Sequence, residues 1–229
     1  DAGEVISCDD LISTAGFPET KRLFSVPEAA AAFSELPEDK TSGRLSFLES
    51  IYLFNKSARN HLPEDRTIIF YNLSEKFSYR RPDDAVDLNS GVICFPDNFE
   101  RNRQGDTIQM RVTHLANYEK WLHAYEDADK SRYPAMKTDW TERSRKVLGK
   151  IIGNCSENIV YEDSFTPVTI ERFTSRTQGA VYGSSEKIKD GRTNFANLYI
   201  AGTDQGYLGI VGALLSGVTM VNQHIFNKM

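Results

Sequence analysis

Apolar residues change their spacing along the chain, and the spacing predicts its elements. Between Arg44 and Tyr79 they fall as Leu45, Phe47 and Leu48, then Ile51, Tyr52, Leu53 and Phe54, then Ile68, Ile69, Phe70 and Tyr71. Polar breaks at Asn55 to Asp65 and at Asn72 to Glu75 separate them, so the segment reads as strands. Gly91 to Phe95 and Thr107 to Leu115 are two further strand candidates. In the second, Ile108, Met110 and Val112 alternate with Gln109, Arg111 and Thr113. A period of two with one polar face predicts a largely antiparallel sheet.

Helical spacing appears at Asn117 to Tyr125 and at Ala135 to Ile152, where Trp140, Val147, Leu148, Ile151 and Ile152 make an apolar stripe that Gly153 stops. Glu28 to Leu36 predicts a short alanine-rich helix after Pro27 and ended by Pro37. Asn158 to Tyr161 reads as a strand leading into a helix that starts at Thr166-Pro167, threonine accepting the orphan amides and proline filling the first turn. The opening, Gly3 to Gly16, reads as two short strands joined by a turn, the second ending on small residues. Asn197 to Ala201 predicts a buried strand, and about Gly209 to Phe226 a closing helix.

Composition narrows the classes. The 229 residues carry 27 Lys and Arg against 32 Asp and Glu, a net charge of −5, and 40% are hydrophobic with 13 Phe and 10 Tyr, so a folded chain is expected. A mildly acidic balance with interspersed signs argues against a nucleic-acid binder, which needs clustered cations. Cys8, Cys94 and Cys155 are odd in number and irregular in spacing, which predicts buried reduced thiols rather than disulfides or a zinc site. His61, His114, His123 and His224 lack metal-ligand spacing, so no metal is expected, and no Gly-x-Ser-x-Gly nucleophile elbow occurs. The apolar run from Tyr207 to Val221 is short of a membrane span. Without a leader pattern, the expected location is cytoplasmic, with peripheral membrane contact allowed. Three Asn-x-Ser triplets, at Asn55, Asn72 and Asn154, carry little weight in that setting.

The chemistry concentrates in Asn197-Leu198-Tyr199-Ile200-Ala201-Gly202-Thr203-Asp204-Gln205-Gly206-Tyr207-Leu208-Gly209-Ile210-Val211-Gly212-Ala213-Leu214-Leu215-Ser216-Gly217, a strand, a glycine-bearing loop and a helix. Gly209, Ala213 and Gly217 recur every four positions and share one face. A helix N-terminus with free amides and close backbone access suits an anion or a polarised ring edge. The same spacing equally suits tight helix-on-sheet packing with no ligand.

This stretch resembles the C-terminal flavin-contacting segment of the FAD-dependent carotenoid desaturase and isomerase family, which includes phytoene desaturases, carotene isomerases and retinol saturase-like proteins. A second block, Thr166-Pro167-Val168-Thr169-Ile170-Glu171-Arg172-Phe173-Thr174 followed by Gly179-Ala180-Val181-Tyr182-Gly183, is similar to the segment that precedes the flavin strand in that family. The opening strand, ending Ser13-Thr14-Ala15-Gly16, resembles the family's returning strand of the nucleotide-binding sheet. The resemblance is specific over about residues 1–24 and 159–229 and weak between. Thr203-Asp204-Gln205-Gly206 departs from the family's usual loop, and Val211 stands where proline is common.

The resemblance implies FAD contacts at Ala15, Gly202, Thr203, Asp204, Gly209, Ile210 and Val211. Asp204 would either bind a ribityl hydroxyl or cap the coming helix. The implied activity is desaturation, saturation or redox-assisted isomerisation of an apolar polyene or isoprenoid-like substrate; no catalytic acid or base can be named. No Gly-x-Gly-x-x-Gly occurs, so the expectation is the C-terminal portion of a larger flavoprotein, inactive alone, whose partner is the missing N-terminal FAD-binding segment, with self-association at an exposed sheet edge. The expected fold is α+β: a mostly antiparallel substrate-domain sheet with covering helices (25–190), flanked by remnants of a Rossmann-like FAD-binding domain (1–24 and 191–229). Phe47, Tyr52, Phe70 and Tyr71 are candidates for an apolar channel, with core packing the stronger reading for each. A self-contained apolar-ligand or protein interaction domain without redox activity is the competing reading, and a flavin amine oxidase-like scaffold a third.

Overall fold

The computed structural model describes residues 3–33, 38–99 and 105–228. The chain is α+β and divides into two compact units, Leu45–Thr174 and a second built from both ends, Asp1–Arg44 with Ser175–Met229.

The first unit is a five-stranded antiparallel sheet in the order β3-β4-β5-β2-β6, from β2 (Ser46–Asn55), β3 (Ile68–Asn72), β4 (Ser90–Cys94), β5 (Thr107–Ala116) and β6 (Ile159–Phe165). The alternation read from β5 sets which side is covered: Ile108, Met110, Val112 and His114 are buried beside Leu48, Tyr52 and Phe54 of β2. Against that face pack α4 (Tyr118–Glu126), α5 (Arg132–Ile152) and α6 (Pro167–Thr174) through Trp121, Trp140, Leu148 and Val168. The other face keeps Phe70 at 78% exposure, Ile68 at 43% and Phe165 at 40%. Tyr52 is thus a core residue, Tyr71 is half-buried and Phe70 points outward.

Local chemistry explains the boundaries. The Asn117 side chain accepts from the amides of Glu119 and Lys120 and starts α4, and Thr166 accepts from Thr169 N at 3.3 Å and starts α6, as its sequence predicts. Gly153, at φ 90°, ends α5. That helix begins at Arg132, three residues before the expected Ala135, with Pro134 tolerated in its first turn.

One buried pair in this sheet escapes any sequence pattern. Gly91 of β4 leaves room for the Tyr71 ring, since a Cβ there would lie 2.9 Å from it, and the Tyr71 hydroxyl reaches His114 Nε2 at 2.6 Å. His114 is fully buried and its Nδ1 has no hydrogen-bond partner among the described residues. Burial holds His114 down to about 4, only partly opposed by the Asp87 carboxylate. Burial also pushes the Tyr71 phenol up, with Asp87 adding to the effect.

The second unit pairs β1 (Leu11–Ser13) with β7 (Leu198–Ile200) in parallel, in register Leu11 with Leu198, Ile12 with Tyr199 and Ser13 with Ile200. Its core is Phe17, Phe33, Leu198 and Ile200, and Phe24 stacks on Phe195 at 5.4 Å. The opening holds this single strand, not two: residues 3–10 are irregular, with Val5 and Ile6 more than 80% exposed. A helix that no apolar period announces, α1 (Phe17–Arg22), follows Gly16, and α2 (Pro27–Ala32) covers the whole alanine run. A short α3 (Glu38–Thr41) follows, while Leu36 and Pro37, the expected end of the alanine-rich helix, lie outside the described residues. The last helix, α7 (Gly209–Met220), continues into a π-helical turn at Val221–Ile225. Of the three free cysteines only Cys155 is buried; Cys94 is half-buried and Cys8, in the irregular opening segment, is exposed. Among the described residues no helix is long and apolar enough to cross a membrane.

Candidate functional site

Parallel pairing of β1 with β7 carries the C-terminal ends of both strands to one edge, where Ala201 N donates to Ser13 O at 2.9 Å. Ala15 lies just beyond β1 and Gly202 just beyond β7, so two candidate residues far apart in sequence sit beyond the same strand ends. Crevices outside the carboxyl ends of parallel strands are where open α/β sheets bind ligands.

The loop from β7 to α7 is open on its outer side. Gly202, Gly206 and Gly209 have φ of 96°, 151° and 75°, in the region that favours glycine, and a Cβ at any of them would meet nothing within 4 Å. Gly217 is equally open, so the stripe of small residues on α7 is not filled by sheet packing. Leu208 occupies the N-cap of α7 without a side-chain cap, and Ile210 and Val211 are 92% and 70% exposed. The first amides of α7 therefore carry a partial positive charge with no side-chain cap among the described residues.

The inner side of the loop is tightly held. Gly202 N donates to the buried Ser216 Oγ at 2.7 Å, tying the end of β7 to α7. Lys187 Nζ donates to Thr203 O at 2.9 Å and to Tyr182 O at 2.6 Å. Burial holds the Lys187 ammonium below its ordinary range, opposed by Asp204 and reinforced by Arg176. Gln205 Nε2 donates to Lys189 O.

Asp204 does not cap the helix that follows it. Its side chain is buried and turned inward: Oδ2 accepts from Phe17 N at 2.7 Å and faces Arg176 Nη2 at 3.3 Å, while Oδ1 accepts from Ser184 N at 2.5 Å. The helix it caps is α1, not α7. This also explains a glycine of the second sequence block, since a Cβ on Gly183 would lie 2.2 Å from Asp204 Oδ1. The other residues of that block divide: Arg172 is exposed beside the Phe173 ring, whereas Tyr182 contributes its carbonyl to Lys187.

Sequence reasoning passed over Glu19, Arg176 and Lys187. For Glu19 and Arg176 the trace is indirect, in Gly16, which has no room for a side chain. Among the described residues no group of three or more His, Cys, Asp or Glu is gathered to hold a metal.

No family profile matches the chain. The chain is similar to all-trans-retinol 13,14-reductase of the zebrafish Danio rerio, 26% identical over 123 residues that cover 48% of this chain and 20% of that protein. It thus spans about a fifth of the length of the curated relative it matches.

Proposed function

We propose that this chain is the C-terminal part of an FAD-dependent oxidoreductase acting on an apolar, retinoid- or isoprenoid-like substrate. The observation that carries the reading is the open edge beyond β1 and β7: Gly202, Gly206 and Gly209 leave space where side chains would stand, and the uncapped α7 N-terminus lies next in the chain. The similarity to a retinol reductase supports the substrate class.

These residues fit the cofactor. Backbone at Ala15 and at Gly202 to Thr203, and the α7 start at Gly209, Ile210 and Val211, would lie against it, with Asp204 acting from behind as the brace of the loop. FAD, when bound, supplies the hydride acceptance or donation. The protein supplies position and electrostatics: the α7 dipole contributes about 0.3–1 kcal/mol toward negative charge at its N-terminus, and up to ~2 kcal/mol where partly buried. Chemistry on a polyene needs flat apolar access, which Ile210 and Val211 offer.

The test uses the full-length protein that contains this chain. It should purify with bound FAD, and Gly209→Leu should lose the flavin. Because leucine is strained at φ 75°, Val211→Trp is the control: it adds bulk at an exposed position of the first turn of α7 without that strain, and should lose the flavin while keeping a wild-type unfolding curve. Full flavin retention in both variants would refute the assignment.

A further inference from the structure

We infer that Arg176 is the positioning residue of the proposed cofactor site, a latch that fastens the β1–α1 turn and the β7–α7 loop to one guanidinium. The inference rests on the FAD reading for its purpose, though not for its geometry.

Ala15, Glu19 and Asp204 converge on this side chain. Arg176 Nη1 donates to Ala15 O at 2.9 Å and lies 3.2 Å from Glu19 Oε2, while Nη2 lies 3.3 Å from Asp204 Oδ2. The side chains of Glu19 and Asp204 are 9% and 0% exposed and that of Arg176 is 18% exposed, so the triad is largely withdrawn from water. A planar, five-donor guanidinium can serve a carbonyl and two carboxylates at once; an ammonium cannot reach them in the same fork. Each carboxylate in turn holds further backbone: Asp204 takes Phe17 N and Ser184 N, and Glu19 takes Thr177 N and its hydroxyl.

Two further observations show that the arrangement is built. Gly16, at φ 109°, is the slot through which the guanidinium passes, since a Cβ there would lie 1.6 Å from Nη1. Arg176 is also delivered by a turn whose Ser175 and Gln178 are non-glycine residues at φ 57° and 60°. Such conformations persist where surrounding contacts over-determine them. The latch thus fixes the inner side of a loop whose outer side is open, which is what a pre-organised cradle requires.

The test compares Arg176→Gln and Arg176→Lys with wild type in the full-length protein, by FAD titration and by hydrogen exchange. Arg176→Gln should weaken FAD binding at least tenfold and raise exchange at residues 15–20 and 202–206, leaving the Leu45–Thr174 sheet as protected as before. Arg176→Lys, which keeps the charge and loses the fork, should recover part of both. If Arg176→Gln does not fold, Arg176→Lys alone decides, by the same two readouts. Wild-type affinity and wild-type exchange in the variants would overturn the latch. If wild type itself holds no flavin, the FAD reading fails, and exchange alone decides the latch: a localised rise in those two segments supports it and none overturns it.

Discussion

Replacing His114 with glutamine should flatten the acid limb of the stability profile of the sheet unit. His114 is fully buried, shares a hydrogen bond with Tyr71 at Nε2 and has no partner for Nδ1 among the described residues, so its neutral form is the one that the fold holds. Its value falls from 6.5 in the unfolded chain to about 4 in the fold. Between those two values the unfolded state binds a proton that the native state refuses, so stability is complete above about pH 6.5 and falls as the pH is lowered toward 4. At about 1.4 kcal/mol per pH unit across that interval, the loss is about 3 kcal/mol, levelling off below pH 4. Both tryptophans, Trp121 and Trp140, lie in this unit, so urea titrations followed by tryptophan fluorescence at a series of pH values report on it. Carboxylates titrate in the same range but are common to both proteins, and the difference between wild type and His114→Gln cancels them. A glutamine amide can still meet the Tyr71 hydroxyl, so the slope rather than the absolute stability is the readout. Equal slopes in the two proteins would refute the reasoning.

Other expectations follow from the same geometry. Ser216→Ala leaves Gly202 N without its partner at the end of β7 and should cost about 1–3 kcal/mol by denaturant titration, with FAD affinity falling in parallel. Trp121 is fully buried with its Nε1 donating to Ala85 O at 3.1 Å, so Trp121→Ala should destabilise the sheet unit by about 3–5 kcal/mol, read by circular dichroism. Lys187 is held below 10.5, so the unfolded chain binds the extra proton just under that value and stability should rise with pH there; Lys187→Met should abolish that rise in alkaline thermal melts.

How much of this was legible in the sequence depends on the range of the interaction involved. The β5 alternation, the Thr166 cap and the Gly153 stop are decided by neighbours within a few residues, and the structure follows them. Helix α1 was not legible, because its N-terminal amide is satisfied by Asp204, 187 residues away. The same holds for Arg176, whose partners Glu19 and Asp204 come from opposite ends of the chain, and for the Tyr71–His114 pair, 43 residues apart on different strands. The candidate loop was found because glycine spacing is local, yet the role of Asp204 was missed because its carboxylate faces the interior rather than the helix that follows it. The glycines gave the site away twice, at 202, 206 and 209 by leaving space and at 16 and 183 by yielding it to Arg176 and Asp204.

The central claim is that the edge beyond β1 and β7 holds FAD in the full-length protein. Its most direct test is the visible absorption spectrum of that protein as purified, with the released cofactor identified by mass. A flavin spectrum, stoichiometric FAD and its loss in Val211→Trp are the results predicted; a colourless, folded protein that takes up no added FAD would contradict the account.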